Sequence, residues 1–367
     1  MKNFLLVLLS IALTALCWGV YGPVLHLGKL SMANDTGLRP FICVGAAYFL
    51  IAVLAPALVL RIRGETGQWT AAGTLWSLAA GVAGAVGALG IILAFVFRGN
   101  PMFVMPMVFG IAPVVNTFYT MSMSKTYKQA GPLFYAGLIL VVAGAVTVML
   151  FKPTPQGGHG HGPAPAAAES KTADATPAPA PTVGKPALTG KEVAIVTLCV
   201  AITVLSWGVY GPVLHKGQSL MSGSRLRPLI CVGLAYFVIA VLIPLLILGV
   251  FPQDGQFTFS GTLWSLAGGA AGAVGALGII LAFNFGGKPI YVMPLVFGGA
   301  PVINIIATLL SAKLISKATI GEIHPIFWAG LITLVAGAIS VLIFAPKSGH
   351  KPATPASGTG GEPALEH

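Results

Sequence analysis

The stretch TLWSLAAGVAGAVGALGIILAFVFRGNPMFVMPMVFGIAPVVN at residues 74–116 returns at 262–304 as TLWSLAGGAAGAVGALGIILAFNFGGKPIYVMPLVFGGAPVIN, with 33 identities in 43 positions. Shorter repeats precede the two copies: CWGVYGPVLHLG at 17–28 and SWGVYGPVLHKG at 206–217, then LRPFICVGAAYF at 38–49 and LRPLICVGLAYF at 226–237. Internal duplication within a strongly apolar chain is typical of membrane transporters. The repeat therefore predicts two structurally equivalent halves.

The composition of the 367-residue chain is that of a membrane protein. Only 8% of its residues are charged, against about 25% in a soluble domain, and its mean hydropathy is +0.89. Most basic residues stand at the ends of apolar runs, where positive charge orients membrane helices, so no nucleic-acid partner is expected. The four cysteines lie inside apolar runs without a CxxC pair, which indicates small buried side chains rather than disulfides or metal ligands.

Each half contains five apolar runs of roughly the 20 residues that a membrane-spanning helix needs. The runs lie near 4–27, 40–60, 73–97, 101–123 and 132–151, then near 193–215, 228–250, 261–285, 289–311 and 325–345. No run alternates with the period of two that a strand requires. The predicted fold class is an all-α membrane protein, with ten transmembrane helices arranged as two inverted five-helix repeats. Its parts are a first repeat at 1–151, a disordered Pro/Ala/Gly-rich linker at 152–192, a second repeat at 193–345 and a disordered tail at 346–367.

The inversion follows from the odd number of spans in each half. With the N-terminus in the cytoplasm, the inner loops hold eleven Lys and Arg residues and the outer helix ends hold seven, as the positive-inside rule predicts. The loop RIRGE at 61–65 loses both arginines in its counterpart VFPQDG at 250–255, which opposite orientations require. Two parallel repeats whose charges have drifted are the alternative.

The first helix of each half carries an aromatic pair just before a Gly-Pro step: Trp18 and Tyr21 in the first half, Trp207 and Tyr210 in the second. A spacing of three residues puts each pair on one helix face. Proline removes a backbone donor and favours a kink, which in a membrane tends to face a protein-lined cavity. Aromatic rings with polar tips beside such a kink predict a site for a small, mostly neutral solute. An interfacial aromatic belt is the alternative interpretation.

Two asparagines and two histidines extend this candidate site. Asn116 and Asn304 hold equivalent positions on the fourth helices, and a buried amide needs a partner from a neighbouring helix or a ligand. His26 and His215 stand at the ends of the first helices, where a histidine suits either a proton-linked switch or the water interface. The predicted substrate-binding residues are thus Trp18, Tyr21, Asn116, Trp207, Tyr210 and Asn304, with His26 and His215 as the candidate proton switch. Four other residues are interpreted as interfacial or structural: Arg39, Tyr48, Arg227 and Tyr236.

Several chemistries are missing from the predicted spans. All nine acidic residues lie outside them, which argues against a cation exporter driven through a buried carboxylate. The sequence has no HExxH motif, no ATP-binding loop and no plausible nucleophile–base pair, so we expect neither an enzyme nor a cofactor. His159 and His161 of the linker are interpreted as solvated rather than metal-binding. The glycines of the third helices indicate packing and sliding surfaces.

The sequence resembles the drug/metabolite transporter superfamily, in particular its EamA-like members. The matching features are five spans in each of two repeats, a Trp-Gly pair in each first helix, and a closing pattern. That pattern is YAGLILVVAGAVTVMLF at 135–151 and WAGLITLVAGAISVLIF at 328–344. Gly321-Glu322 precedes the second copy, as in many EamA repeats, whereas Lys-Gln-Ala precedes the first. The resemblance implies alternating access through a central cavity lined by both repeats, with solutes such as amino acids or sugars.

We therefore expect a secondary transporter of a small polar metabolite in a bacterial cytoplasmic membrane, with both termini in the cytoplasm. The expected partners are the solute and the lipid bilayer, and the sequence leaves a homodimer open. One alternative is a sugar uptake permease of the glucose/ribose or rhamnose branch, which shares the ten-helix plan. The other is a non-transporting membrane scaffold whose linker recruits partners.

Overall fold

The computed structural model describes residues 2–32, 37–97, 101–151, 189–311 and 324–346, and every regular element in these ranges is helical. This confirms the all-α class for the described part of the chain. The long helices are α1 Lys2–Ser31, α2 Leu38–Arg63, α3 Ala71–Val96, α4 Pro101–Ser124, α5 Pro132–Leu150, α6 Gly190–Leu220, α7 Leu226–Val250, α8 Phe259–Asn284, α9 Pro289–Ser311 and α10 Pro325–Phe344.

Seven helical stretches among the described residues are long and apolar enough to cross a membrane. They are Asn3–Lys29, Leu38–Arg63, Ala71–Ala94, Gly190–Leu220, Leu226–Val250, Phe259–Asn284 and Pro325–Phe344. Two further apolar stretches, Pro132–Val148 and Pro289–Asn304, are shorter. By length and composition the described helices are those of an integral membrane protein, with seven qualifying spans where the sequence predicts ten.

The helix α6 begins inside the segment that the sequence assigns to the linker. The Thr189 side chain accepts the backbone N–H of Glu192, and the Glu192 carboxylate accepts the backbone N–H of Thr189. This capping box satisfies two donors that would otherwise lack partners and starts the helix at Gly190. The rest of the linker, with both of its histidines, lies outside the described residues, as does the chain beyond residue 346.

The helices α2 and α7 each contain a π-helical stretch, Phe49–Leu54 and Val238–Leu242. Pro56 and Pro244 stand just beyond them, and the ring of a proline clashes with the carbonyl four residues earlier, which here lies within the π stretch. The wider turn relieves that clash and keeps the helix continuous. The prolines of α1 and α6 lie inside uninterrupted helices, so the irregular turns are in the second helices of each half rather than at the Gly-Pro steps.

Equivalent helices of the two halves pack against each other in opposite directions. On α2 and α7, Gly45 lies against Ala240 and Ala52 lies against Gly233. Rising residue numbers in one helix therefore meet falling numbers in the other. The helices α5 and α10 pack with the same reversal.

Arginines at the starts of α2 and α7 fasten the two ends of this pair. Arg39 donates to the carbonyls of Gln253 and Asp254 at 3.1 and 3.3 Å, and Arg227 lies 3.5 Å from the Glu65 carboxylate. Both arginines are thus held by the loop that follows the other helix, where the sequence suggested interfacial anchors. Because residues 39 and 65 flank opposite ends of α2, the loops at 65 and 254 lie at opposite ends of the bundle.

Glu65 is the centre of the hydrogen-bond network at the start of α7. Its carboxylate accepts the Ser224 hydroxyl at 2.6 Å and the backbone N–H groups of Arg225 and Leu226 at 2.7 and 3.2 Å. Its side chain is 4% exposed. Burial alone would raise the pKa of Glu65, but these hydrogen bonds outweigh it and lower the pKa below its ordinary value.

We predict that Glu65→Gln destabilises the protein at neutral pH by about 1–3 kcal/mol, because it leaves buried donors and Arg227 without their anionic partner. A carboxylate whose folded-state pKa is depressed stabilises above its ordinary pKa of about 4.3, and that contribution is lost as the pH falls through the folded value. Thermal denaturation in detergent should therefore show a gap between wild type and variant that is full at neutral pH and closes in acid.

Asp254→Asn is the matched control for this prediction, because the Asp254 side chain is exposed and only its backbone carbonyl meets Arg39. This change should leave the stability within about 0.5 kcal/mol of wild type. A Glu65→Gln gap that is the same at every pH, or an equal loss in Asp254→Asn, would contradict the role given to the Glu65 carboxylate.

Candidate functional site

The tryptophans of α1 and α6 join the two halves at the middle of the bundle. The Trp18 Nε1–H donates to the Gly272 carbonyl of α8 at 3.3 Å, and the Trp207 Nε1–H donates to the Gly84 carbonyl of α3 at 3.2 Å. The two bonds join equivalent residues with the halves exchanged. Each first helix therefore lies along the third helix of the other half.

Glycine is required where the indole rings lie. A Cβ atom on Gly275 would overlap the Trp18 ring, and a Cβ on Gly87 would overlap the Trp207 ring. The same two glycine carbonyls accept threonine hydroxyls at 3.1 Å, Thr14 at Gly275 and Thr203 at Gly87. The third-helix glycines thus act as packing surfaces that admit aromatic side chains from the opposite half.

A cavity lies between these helices, with aromatic side chains from both halves on its walls. They are Trp18, Tyr21, Tyr48, Phe109, Trp207, Tyr210 and Tyr236. The space open to the centres of water molecules is about 40 Å³, which is room for about three waters. A metabolite of many heavy atoms would fit in this space only if the rings separated.

Four of the six predicted substrate-binding residues meet at this cavity. The ring centroids of Trp18 and Trp207 are 6.3 Å apart with their planes at 26°, and Tyr210 lies 6.1 Å from Trp18. These separations suit favourable aromatic contacts. Tyr210 is only 4% exposed, a position that an interfacial belt does not explain.

Tyr48 and Tyr236 belong to the same cavity, although the sequence analysis interpreted them as structural or interfacial. Their rings stack with centroids 3.7 Å apart and planes 2° apart. They sit at the crossing of α2 and α7; Tyr48 directly precedes one π stretch and Tyr236 lies two residues before the other. The signal that could have found them is their identical place in the LRPxICVGxAYF repeat.

The two predicted asparagines are not on the cavity wall. Asn116 is fully buried, and its Nδ2 donates to the Pro289 carbonyl at the start of α9 at 3.0 Å. The Asn304 Nδ2 donates to the Gly19 carbonyl of α1 at 3.1 Å. Each amide N–H group therefore donates to a carbonyl of a neighbouring helix, whereas the buried Asn116 Oδ1 has no hydrogen-bond partner among the described residues.

The hydroxyl of Tyr210 is buried on the cavity wall and has no hydrogen-bond partner among the described residues. A buried hydroxyl without a partner costs about 1–3 kcal/mol. Such groups are rare in folded proteins and call for an explanation. A solute entering the cavity would supply the missing partner.

A larger space of about 730 Å³, which we call the vestibule, opens at one end of the bundle. His215, Lys216, Phe283 and Lys288 are on its walls, and the His215 ring packs edge-on against Phe283 with centroids 5.0 Å apart. Because Tyr210 of the cavity precedes His215 and Lys216 by less than two turns of α6, the vestibule and the cavity are neighbours along that helix.

Of the two histidines predicted as a proton switch, His215 lies on the vestibule wall. His26 belongs to α1, and its side chain is outside the described part of the structure. Among the described residues no group of three His, Cys, Asp or Glu side chains could hold a metal ion.

Comparison with known proteins identifies the fold without a function. No family model matches the chain, and no curated protein matches it. Among 18 chains of known structure that match, one crystal structure is similar over 95% of this chain and 99% of its own, with a TM-score of 0.60 and 13% sequence identity. At that identity the likeness shows a shared fold alone.

We predict that Trp18→Phe lowers the free energy of unfolding by about 1 kcal/mol, because the ring still packs but its hydrogen bond to the Gly272 carbonyl is lost. Trp207→Phe should cost the same, because its bond to Gly84 is equivalent. Trp328→Phe is the matched control, because that side chain is 45% exposed on α10. Thermal denaturation in one detergent compares the three variants, and a loss in Trp328→Phe as large as in the others would count against the central contact.

Proposed function

We propose that this protein is a secondary transporter that moves a small polar metabolite by alternating access, with the solute bound in the central aromatic cavity. The observation that carries the proposal is the position of the cavity. Equivalent residues of the duplicated halves line it, and it adjoins a vestibule that opens at one end. A site shared by two repeats is what a transporter that exposes it to either side needs.

We further propose that the duplicated halves are inverted five-helix repeats that together provide ten membrane spans. The antiparallel packing of α2 with α7 supports this, because repeats of the same orientation would place equivalent helices parallel. The loops at 65 and 254, equivalent in sequence, lie at opposite ends of α2, as inversion requires. The drug/metabolite transporter resemblance is consistent with the same plan.

The small cavity also fits an alternating-access cycle. The rings leave only about 40 Å³ at the middle of the bundle, too little for a metabolite, while the vestibule is open at one end. Entry of a solute then requires the two first helices to move apart along the glycine surfaces of α3 and α8.

Uptake into proteoliposomes tests the proposal. Purified protein is reconstituted and offered radiolabelled amino acids, sugars and small organic acids one at a time. We expect concentrative uptake or counterflow of at least one of them, above that of protein-free vesicles. Absence of flux for every solute, with the protein folded, would contradict transport and favour the scaffold.

We predict that Tyr210→Phe leaves stability unchanged or slightly higher, because the lost hydroxyl has no partner in the protein. The same change should weaken uptake of the transported solute by about tenfold, the worth of one hydrogen bond of about 1.4 kcal/mol. Tyr127→Phe is the matched control, because its hydroxyl bonds the Phe118 carbonyl on the exposed surface. Equal uptake by Tyr210→Phe and wild type would remove Tyr210 from the solute site.

A further inference from the structure

We infer that the vestibule binds an anionic group, a carboxylate or a phosphate, on the solute that this protein takes up. The inference rests on the proposed function only in identifying the bound anion with the transported solute. Its basis is the charge on the vestibule walls. Lys216 and Lys288 line it, and its walls contain no Asp or Glu among the described residues.

Lys216 and Lys288 supply the positive charge of the vestibule, and the His215 ring lies on the same walls. Glu65, at the same end of the bundle, is held by Arg225, Arg227 and the start of α7. Its charge is therefore compensated elsewhere. A positive space with apolar walls concentrates anions and repels cations.

The start of α9 adds to this positive potential. Pro289 and Ile290 line the vestibule, so the first turn of a 23-residue helix borders it. The N-terminus of a helix carries a partial positive charge that favours a carboxylate or phosphate. Pro289 has no N–H, and Tyr291 and Val292 donate to the Lys288 carbonyl, so α9 contributes mainly through this partial charge. The bond from Asn116 to the Pro289 carbonyl fixes this helix start against α4.

A second polar group on the same wall lacks a partner. Thr120 lines the vestibule and is 7% exposed, and its hydroxyl makes no hydrogen bond among the described residues. A buried hydroxyl in this condition destabilises the protein. An anion in the vestibule provides the acceptor that this donor lacks.

The two lysine charges of the vestibule belong to the second half alone. The sequence positions equivalent to Lys216 and Lys288 are Leu27 and Asn100, so these two charges have no counterpart in the first half. The aromatic cavity, which adjoins the vestibule along α6, is lined by uncharged side chains and suits the neutral part of a solute. The vestibule and cavity together therefore fit a small molecule with an anionic group at one end.

Equilibrium binding to the full chain in phosphatidylcholine nanodiscs tests the inference without any transport step. The probes are radiolabelled glycerol 3-phosphate and succinate, with glycerol as the neutral match. The test variant is Lys216→Gln/Lys288→Gln, and Lys216→Arg/Lys288→Arg retains the charge. The control is Arg61→Gln/Lys128→Gln, which removes two exposed charges near the same end but outside the vestibule.

We expect wild type to bind at least one anion and not glycerol. The double Gln variant should bind it more weakly by about tenfold or more, because each charged hydrogen bond contributes about 1.5–3 kcal/mol. The Arg variant and the control should stay within about twofold of wild type. Equal binding of glycerol and the anions, or an equal loss in the control variant, would overturn the inference.

Adding phosphatidylglycerol to the nanodiscs separates two sources of the anion. Competition with the soluble probe in wild type identifies a lipid headgroup phosphate as an occupant, and unchanged affinity identifies a soluble anion. The two proposals also fail separately. Lysine-dependent anion binding without flux would support the anion site and contradict the transport function. Flux of a neutral solute without such binding would contradict the anion site and support transport.

Discussion

Two indole hydrogen bonds across the centre of the bundle determine how the halves of this protein fit together. Lipid gives apolar helices no hydrophobic reason to associate, so close packing and interhelical hydrogen bonds must hold them. Trp18 and Trp207 supply both, because each ring packs where the opposite half has only glycine and each N–H reaches a helix carbonyl. The cavity exists because these rings and the tyrosines beside them meet at that crossing.

Because the chain is duplicated, the tryptophan contact of one half has an equivalent in the other. Trp18 bonds the Gly272 carbonyl, and Trp207 bonds the carbonyl of the equivalent Gly84, so each contact occurs twice about one axis. The stacked pair Tyr48 and Tyr236 marks that axis, since equivalent rings can lie face to face only where the symmetry brings equivalent positions together. The π stretches beside them give α2 and α7 a wider turn at this level.

Much of this arrangement can be predicted from the sequence, and there are physical reasons why the rest cannot. Helical class and helix positions follow from apolar runs, and the Trp-Tyr pairs followed from their spacing and repetition. Asn116 and Asn304 as solute ligands stay a prediction, and their amide N–H groups donate to the backbone carbonyls of Pro289 and Gly19, contacts that no sequence pattern indicates. Tyr48 and Tyr236 were missed because stacking between distant helices leaves no local pattern.

Charge divides the two ends of a bundle whose centre is nearly symmetric. The Glu65 carboxylate holds the start of α7, and its counterpart Gln253 has no charge with which to do the same. The lysines of the vestibule lie at the same end as Glu65. Under the proposed transport function, these unequal ends would let the protein treat its two compartments differently.

Labelling with a membrane-impermeant thiol reagent tests the central claim most directly. Single cysteines replace Arg63 and Asp254 in a chain without its four native cysteines, and intact cells and inverted vesicles are labelled separately. Inverted repeats predict that residue 63 reacts only from the cytoplasmic side and residue 254 only from the other side. Reaction of both residues from one side would contradict the inversion and the shared cavity derived from it.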